Sequence, residues 1–269
     1  MVLLESPLAL AAVTFAAAFI AGVVPLWRKV ADQQNLLTWM TGLAAGVLLA
    51  SALLVAIPEG FEIAEHGDLE PLLIGGAVLA GFLAMLLLEA LGFGHDIHEE
   101  HHDHEHEHGH DHVHHPTNSD SVVIGLSAHA LTDGLAIGAA ISTGSLVLSL
   151  SVFIAVLAHK IPAAFSVGVF SMHERQDRNI AVRDVALFSL ATPITILLTA
   201  YLLGDVDAHL LGLAILFSGG TFLYVATVDV LPDVHNSKTG RHALIQVLIG
   251  VAMMALLILG LDTTGLVAH

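Results

Sequence analysis

Two neighbouring apolar stretches of the chain carry ionisable residues where a membrane-buried helix normally has none. The first contains His129 and Asp133 near its middle, and the second contains His159 and Lys160. An ionised side chain at the centre of a bilayer costs about 2.5–3.5 kcal/mol on insertion scales, so such residues usually face a bundle interior and have a function. Imidazole and carboxylate groups are ligands of divalent metals. The pattern therefore predicts a metal site inside a membrane.

The spacing of the first pair places both side chains on one face of a helix. His129 and Asp133 are four residues apart, which is about one helical turn. Gly134 and Gly138 follow at a spacing that lets two membrane helices approach closely. The alternative for this pair alone is a hydrogen bond that only holds the bundle together.

Pro162 distinguishes the second stretch. Proline has no backbone donor, so the carbonyl of Ala158 loses its helical partner beside the predicted site. A freed carbonyl is available to bind a cation or a polar neighbour. The alternative is a structural proline kink with Lys160 extended towards the membrane surface.

The composition is that of a membrane protein. The 269 residues are 55% hydrophobic and 12% charged, against roughly 25% charged in soluble proteins. There is no cysteine, so any metal ligands must be nitrogen or oxygen. The net charge of −17 argues against nucleic acid and favours cationic partners, although a salt-adapted organism would also explain it. We expect acids such as Glu59, Glu62 and Glu65 to lie in connecting segments.

Eight apolar runs approach the roughly 20 residues that span a bilayer. They cover about 7–27, 36–57, 71–92, 121–142, 146–171, 184–203, 208–231 and 243–261. We therefore predict an all-α membrane protein with one transmembrane domain over 1–269, in contact with the lipid bilayer.

The basic residues predict the orientation. Seven of the eight fall in connections on one side of these spans, and they are Arg28, Lys29, Arg175, Arg178, Arg183, Lys238 and Arg241. By the positive-inside rule that side is the cytoplasm, and both termini are external. Spans two and seven also end in similar proline–acid sequences on opposite sides, which favours the inverted repeats common in transporters.

A histidine-rich segment follows span three. Residues 95–115 hold 11 of the 19 histidines and seven acids. We predict a disordered His/Asp/Glu-rich cytoplasmic loop over 93–119, because such a segment cannot form a packed core. A solvated acidic linker is the alternative. The loop residues predicted to bind metal are His98, His101, His102, His104, His106, His108, His110 and His112.

A few other polar residues are weaker candidates. Glu59, Asp229 and Asp233 lie near the ends of spans two and seven and are predicted to line vestibules. Glu89 is expected to reach the membrane interface. Thr192, like Ser189 beside it, is as well suited to bond a helical carbonyl as to touch an ion.

Several motifs resemble the ZIP family of zinc and iron permeases. HALTDGLAIGAA (129–140) and HKIPAAFSVG (159–168) are similar to its two signature helices. The segments at 21–26, 56–60 and 216–234 are similar to the branch that contains the ninth mammalian ZIP transporter. The resemblance implies eight spans in an inverted 3+2+3 arrangement, a homodimer, import towards the cytoplasm, and movement of spans one, four, five and six against the rest.

The chain departs from the family pattern on span five. The resemblance implies two adjacent metal positions bridged by glutamates, and His129 and Asp133 keep a ligand and a bridging-type carboxylate. Lys160 replaces an acid, however, and Ala163 replaces the second glutamate. We therefore expect one metal position, formed by His129, Asp133 and His159. Our hypothesis is that the ammonium of Lys160 occupies the second position and offsets the charge of Asp133.

The predicted function is transport of a divalent metal, with Zn(II) favoured, into the cytoplasm through the cell membrane. The metal is the substrate, no cofactor is expected, and the protein is not an enzyme. Lower pH should weaken binding, because histidines must shed protons to bind metal. The alternatives are a cation-diffusion-facilitator-like exporter, which has six spans, and a membrane metal sensor without net flux. An intramembrane metalloprotease is disfavoured because no HExxH motif occurs.

Overall fold

The computed structural model describes residues 6–27, 34–66, 69–93, 119–235 and 240–263, and these contain helices and no strand. Eight helices are long and apolar enough to cross a membrane, which confirms the predicted all-α class and span count. They are α1 (Pro7–Val23, followed by a 3-10 turn Val24–Leu26), α2 (Gln34–Ser51, continuing through Ala52–Ala56 into Ile57–Glu65), α3 (Pro71–Ala90), α4 (Ser119–Ser142), α5 (Leu146–Arg175), α6 (Arg178–Leu202), α7 (Ala208–His235) and α8 (Gly240–Thr263).

α2 is longer than the sequence predicts. Glu59, Glu62 and Glu65 were expected in a connecting segment, but they lie on its last turns. The segment Ala52–Ala56 is π-helical, which changes the hydrogen-bond pattern immediately before Pro58. Pro58 then occupies the first turn of the next segment, where a missing backbone donor costs little. The helix therefore continues past the proline.

The hairpin between α5 and α6 is specified by local residues. The 30 residues of α5 correspond to about 45 Å, more than the roughly 30 Å hydrocarbon core. Gln176 adopts a left-handed conformation with φ 53° and ends α5. The Asp177 side chain then accepts hydrogen bonds from the backbone N–H groups of Asn179 and Ile180 and caps α6.

The helices divide into an inner and an outer set. More than half of the apolar core of each of α2, α4, α5 and α7 is buried inside the protein, whereas less than a third of that of α1, α3 and α8 is buried. Many exposed residues of the outer helices are large and apolar, for example Leu72, Leu79 and Leu256. Such surfaces suit a lipid solvent, and the inner helices are left to position polar groups.

The helix contacts occur in matched pairs. α1 and α2 both pack on α5, while α6 and α7 both pack on α4, and α2–α8 is matched by α3–α7. In the α2–α8 crossing and in the α3–α7 crossing, both helices contribute a glycine. A Cβ on Gly46 or Gly250 would collide with the backbone of the facing helix, and the same holds for Gly81 and Gly220. Small residues thus allow both crossings to close.

Glycines also set the distance between α4 and α6. A Cβ on Gly134 would collide with the carbonyl of Thr192, and one on Gly138 would collide with the side chain of Thr199. The Thr192 hydroxyl donates to the carbonyl of Ala130 at 2.8 Å. α4 is therefore fixed against α6 on one face and directs its polar residues towards α5 and α7.

Candidate metal site

The structure brings together the three residues predicted as ligands. The Asp133 Oδ1 atom lies 3.5 Å from His129 Nε2 on the same helix and 3.3 Å from His159 Nε2 on α5. One potential ligand atom from each residue lies within 4.8 Å of the other two. The three residues are at most 4% exposed. We call them the His/Asp/His cluster.

The orientation of His159 leaves a lone pair facing the carboxylate. Its Nδ1 lies 3.0 Å from the carbonyl oxygen of Ala155. A carbonyl can only accept, so we assign the ring hydrogen to Nδ1, and the Nε2 of the neutral ring then carries a lone pair. This lone pair faces the oxygen of Asp133, an arrangement that is satisfied when a cation lies between them. Metal-bound histidines commonly donate their other N–H to a backbone carbonyl in this way.

Phe222 of α7 fixes the two imidazole rings. Its ring makes edge-to-face contacts with His129 and His159, with centroid distances of 5.5 and 5.3 Å. Phe222 is itself fully buried. Sequence patterns did not indicate it, because α7 is far away in the chain and a phenylalanine in an apolar helix carries no local signal.

Lys160 completes the surroundings of Asp133. Its Nζ atom lies 3.0 Å from Asp133 Oδ2 and 4.0 Å from the centre of the Phe188 ring. The side chain is 1% exposed, so the alternative of a lysine extended towards the membrane surface is wrong. A buried ammonium needs a carboxylate partner of this kind. The two oxygens of Asp133 are thus divided, with Oδ1 towards the histidines and Oδ2 on the lysine.

The other predicted residues of span five lie next to the cluster. Pro162 is buried within α5, and the helix continues through it to Arg175. Ala163 borders a small cavity of about 40 Å³ that also touches His129 and His159. The remaining residues around this cavity are Thr41, Ala44, Ala45, Leu48, Leu126, Ser166, Phe188 and Val225.

A larger cavity, the vestibule, opens where α2 ends and α5 begins. It has a volume of about 370 Å³ and contains the predicted vestibule residue Glu59. Around it are also Glu62, Ile63, His66, Thr143, Ser145, Val147, Leu148 and Ala208. The side chains of Asp229 and Asp233 lie outside the described residues. The loop histidines at 98–112 also lie outside them.

Apolar residues separate the vestibule from the His/Asp/His cluster. Ile137 and Ala140 follow Asp133 by one and two helical turns on the same face of α4, in the direction of the vestibule. On α5, Val152 precedes His159 by two turns in the same direction. These residues are buried members of one apolar cluster that also includes Ala56 of α2. The site is therefore closed towards the vestibule, while the small cavity lies on its other side.

A second buried carboxylate lies near the opposite end of α5 from the vestibule. Asp184 accepts hydrogen bonds from Ser171 at 3.1 Å, from Arg175 at 3.0 Å and from Arg183 at 2.8 Å. Both arginines also contact Asp120 at the start of α4. We call this group the arginine cluster. The sequence analysis treated its arginines only as indicators of membrane orientation.

Two of the other weak candidates, Glu89 and Thr192, have hydrogen-bond partners. Glu89, which is predicted to reach the membrane interface, accepts a hydrogen bond at its Oε2 from the Tyr224 hydroxyl of α7 at 2.7 Å. Thr192 bonds a carbonyl, as one of its two alternatives stated. Ser189 is fully buried on α6. None of the three belongs to the His/Asp/His cluster.

Eight membrane helices that enclose two imidazoles and a carboxylate define an integral, multi-pass membrane protein with a candidate metal site. Residues 3–121 and 94–258 match the Zip family model, described as ZIP zinc transporter. The chain is 34% identical to zinc transporter ZIP9 of Micropogonias undulatus over 262 residues, which cover 80% of this chain and 81% of that protein. It belongs to the ZIP zinc transporter family.

Two further relatives are also named zinc transporters. Zinc transporter ZIP9-A of Xenopus laevis is 33% identical over 257 residues, covering 80% of each chain. Zinc transporter ZIP9 of Macaca fascicularis is 42% identical over 151 residues, which cover 50% of this chain and 63% of that protein. Family membership and the eight helices argue against the six-span exporter alternative.

Proposed function

We propose that this protein carries a divalent metal ion, with zinc favoured, into the cytoplasm through a single site formed by His129, Asp133 and His159. The observation that carries the proposal is the meeting of three buried nitrogen and oxygen ligand atoms within 4.8 Å at the centre of the bundle. The relatives described above are named zinc transporters. Nitrogen and oxygen ligands suit Zn(II) but also other divalent metals.

Lys160 supports a site for one ion rather than two. A second dication beside Asp133 would have to displace an ammonium that is 3.0 Å from Oδ2. Two unit charges about 4 Å apart interact with about 4 kcal/mol at an effective dielectric constant of 20. The ammonium therefore repels a second ion and partly neutralises Asp133, which weakens binding enough to permit release.

The direction of transport is proposed from charge and packing. Arg175 and Arg183 lie at one end of the bundle, and the positive-inside rule makes this end cytoplasmic. The vestibule, with Glu59 and Glu62, then faces outside and attracts cations. The matched helix pairs support an inverted repeat in which α1–α3 correspond to α6–α8 and α4 to α5.

Two broader proposals follow from the family resemblance. The protein is a homodimer in the cell membrane, and the exposed apolar surface of α3 is available for contact with a second copy or with lipid. Crosslinking of single cysteines on α3 would test this assembly directly, since the native chain has no cysteine.

Zinc uptake by proteoliposomes tests the proposed transport. We expect His129→Ala and Asp133→Ala to reduce uptake by more than the 10- to 100-fold that follows loss of a group that only supports a ligand. His173→Ala is the matched control, because His173 is an exposed histidine on the same helix as His159. Unchanged uptake by the two site variants would refute the site, and zinc binding without any uptake by the native chain would favour the sensor.

A further inference from the structure

Two hydroxyl groups of α7 are hydrogen-bonded to α4 at the turn that carries His129 and Asp133. The Thr221 hydroxyl lies 2.8 Å from the Thr132 hydroxyl, and the Ser218 hydroxyl donates to the carbonyl oxygen of Thr132 at 2.9 Å. Thr132 directly precedes Asp133 in the chain. Ser218 and Thr221 are fully buried. We call Thr132, Ser218 and Thr221 the hydroxyl bridge.

One hydrogen lies between the hydroxyl groups of Thr132 and Thr221. The Thr132 hydroxyl is also 2.7 Å from the carbonyl oxygen of His129, and the Thr221 hydroxyl is 2.7 Å from that of Ser218. Two hydroxyl hydrogens thus serve three contacts. Two oxygens 2.8 Å apart have the separation of an O–H···O hydrogen bond, so one hydrogen joins the hydroxyls and the other reaches a carbonyl. The bridge therefore connects α4 to α7 in either arrangement.

The same turn of α4 is also hydrogen-bonded from α6. The Thr192 hydroxyl donates to the carbonyl oxygen of Ala130 at 2.8 Å, and Ala130 and Thr132 both lie between His129 and Asp133. Hydrogen bonds need a short donor–acceptor distance and a favourable angle, so they limit sliding and rotation of a helix more strictly than apolar contacts do. This turn is therefore fixed from two sides.

On α7 the bridge adjoins the ring that packs on both imidazoles. Thr221 directly precedes Phe222, and the Phe222 ring contacts the two histidines of the site. Binding groups that are held in place beforehand lose less freedom when a ligand binds. We propose that Ser218 and Thr221 are positioning residues of the metal site, which act through Thr132 and do not touch the ion. This proposal rests on the proposed function of the His/Asp/His cluster.

Two opposite substitutions of Thr221 separate the role of its hydroxyl from that of its packing. Thr221→Val keeps the shape of the side chain and removes the hydroxyl, whereas Thr221→Ser keeps the hydroxyl and removes a methyl group. Zinc uptake by proteoliposomes is measured over a range of zinc concentrations. We expect Thr221→Val to raise the half-saturating zinc concentration about fivefold, as for the net contribution of one hydrogen bond, and Thr221→Ser to leave it unchanged. The proposal is overturned if Thr221→Val leaves this concentration unchanged, or if Thr221→Ser raises it as much.

Hydroxyl groups that bond to their own helix provide matched controls. Thr227 donates to carbonyl oxygens within α7, and the buried Ser151 donates to one within α5. Ser218→Ala should raise the half-saturating zinc concentration, whereas Thr227→Val and Ser151→Ala should not. A bridge that only stabilises the fold would lower the maximal rate, through the amount of folded protein, and leave the half-saturating concentration unchanged. Equal half-saturating concentrations for Ser218→Ala and Ser151→Ala would therefore overturn the proposal.

A double-mutant cycle tests whether the two threonine hydroxyls act as one unit. Thr132→Val already removes the bond between the hydroxyls, so Thr132→Val/Thr221→Val should have the same half-saturating zinc concentration as Thr132→Val alone. A double variant in which the effects of the two single changes multiply would contradict the proposal. Absence of saturable zinc uptake by the native chain would instead refute the proposed function, on which this inference rests.

Discussion

Asp133 and Asp184 are both fully buried carboxylates within a membrane bundle, but their surroundings differ in kind. Asp184 accepts hydrogen bonds from two guanidinium groups, which can only donate and are always charged, and from the Ser171 hydroxyl. Asp133 has one ammonium on Oδ2, and two imidazole nitrogens face its Oδ1. Neutral imidazoles supply lone pairs, which arginine never does.

This difference separates a structural carboxylate from a candidate ligand. The arginine cluster joins the start of α4 to the ends of α5 and α6, and its hydrogen bonds are complete without a further ion. In the His/Asp/His cluster, by contrast, two imidazole nitrogens face the carboxylate, and each of them can offer a lone pair to a cation. Burial of an acid in a membrane is thus not sufficient to identify a metal site; the chemistry of its neighbours decides.

The largest expected effect is loss of transport when Asp133 is neutralised without leaving an unpaired lysine. In Asp133→Asn/Lys160→Met both members of the ion pair are removed, a change that is often neutral for stability. We expect zinc uptake to fall by on the order of 100-fold or more, beyond the effect of losing a supporting group. Asp184→Asn should instead lower the thermal midpoint and leave the zinc concentration for half-maximal uptake unchanged. Normal zinc uptake by the double variant, together with a changed half-maximal zinc concentration for Asp184→Asn, would contradict the distinction between the two carboxylates.

Removal of the lysine alone should strengthen binding. Lys160→Met leaves Asp133 with a full negative charge beside the two imidazoles, and we expect at least a tenfold lower half-saturating zinc concentration, about 1.4 kcal/mol. Lys160→Asp should permit a second ion. The number of zinc ions bound at saturation is measured for Lys160→Asp and for Asp133→Asn/Lys160→Met. Both proteins keep the histidine-rich segment, so the ions that it binds cancel in the difference. A Lys160→Asp protein that still binds one ion at the site would refute the charge-substitution hypothesis.

A smaller effect is expected from loosening the two rings. Phe222→Leu removes the edge-to-face contacts, each worth about 0.5–1.5 kcal/mol, and should weaken zinc binding several-fold. Uptake at limiting zinc is the measurement. Phe82→Leu is the control, because Phe82 makes a similar contact with Tyr224 away from the site. If both variants behave alike, Phe222 acts on packing rather than on the ligands.

The smallest effect should come from a conservative change in the arginine cluster. Arg175→Lys keeps the charge but cannot contact Asp120 and Asp184 with the same planar group. We expect a modest decrease in the thermal midpoint and no change in zinc affinity. A change in affinity similar to that of Phe222→Leu would show that the two clusters are coupled.

The sequence predicted the parts of the site that depend on local patterns. His129 and Asp133 are one turn apart, and Lys160 follows His159, so their meeting required only that α4 and α5 pack together. Phe222 was missed because α7 brings it to the site from a distant part of the chain. A phenylalanine in an apolar helix carries no signal of its own.

The ends of the helices show the same difference between features that depend on local sequence and features that do not. Hydropathy located all eight spans, because a membrane span requires a long apolar run. It failed at the end of α2, where acidic residues follow Pro58 and the helix continues through a π-helical segment. The hydropathy of a segment predicts whether it lies in the membrane, but it does not predict which tertiary contacts its polar side chains make.

The number of zinc ions bound by the site tests the central claim most directly. Purified native protein and Asp133→Asn/Lys160→Met are saturated with zinc, and the bound metal is measured by elemental analysis. Both chains keep the histidine-rich segment at 95–115, so its ions cancel in the difference. We predict that the native chain binds one more zinc ion than the variant. A difference of zero or of two ions would contradict a single site at His129, Asp133 and His159.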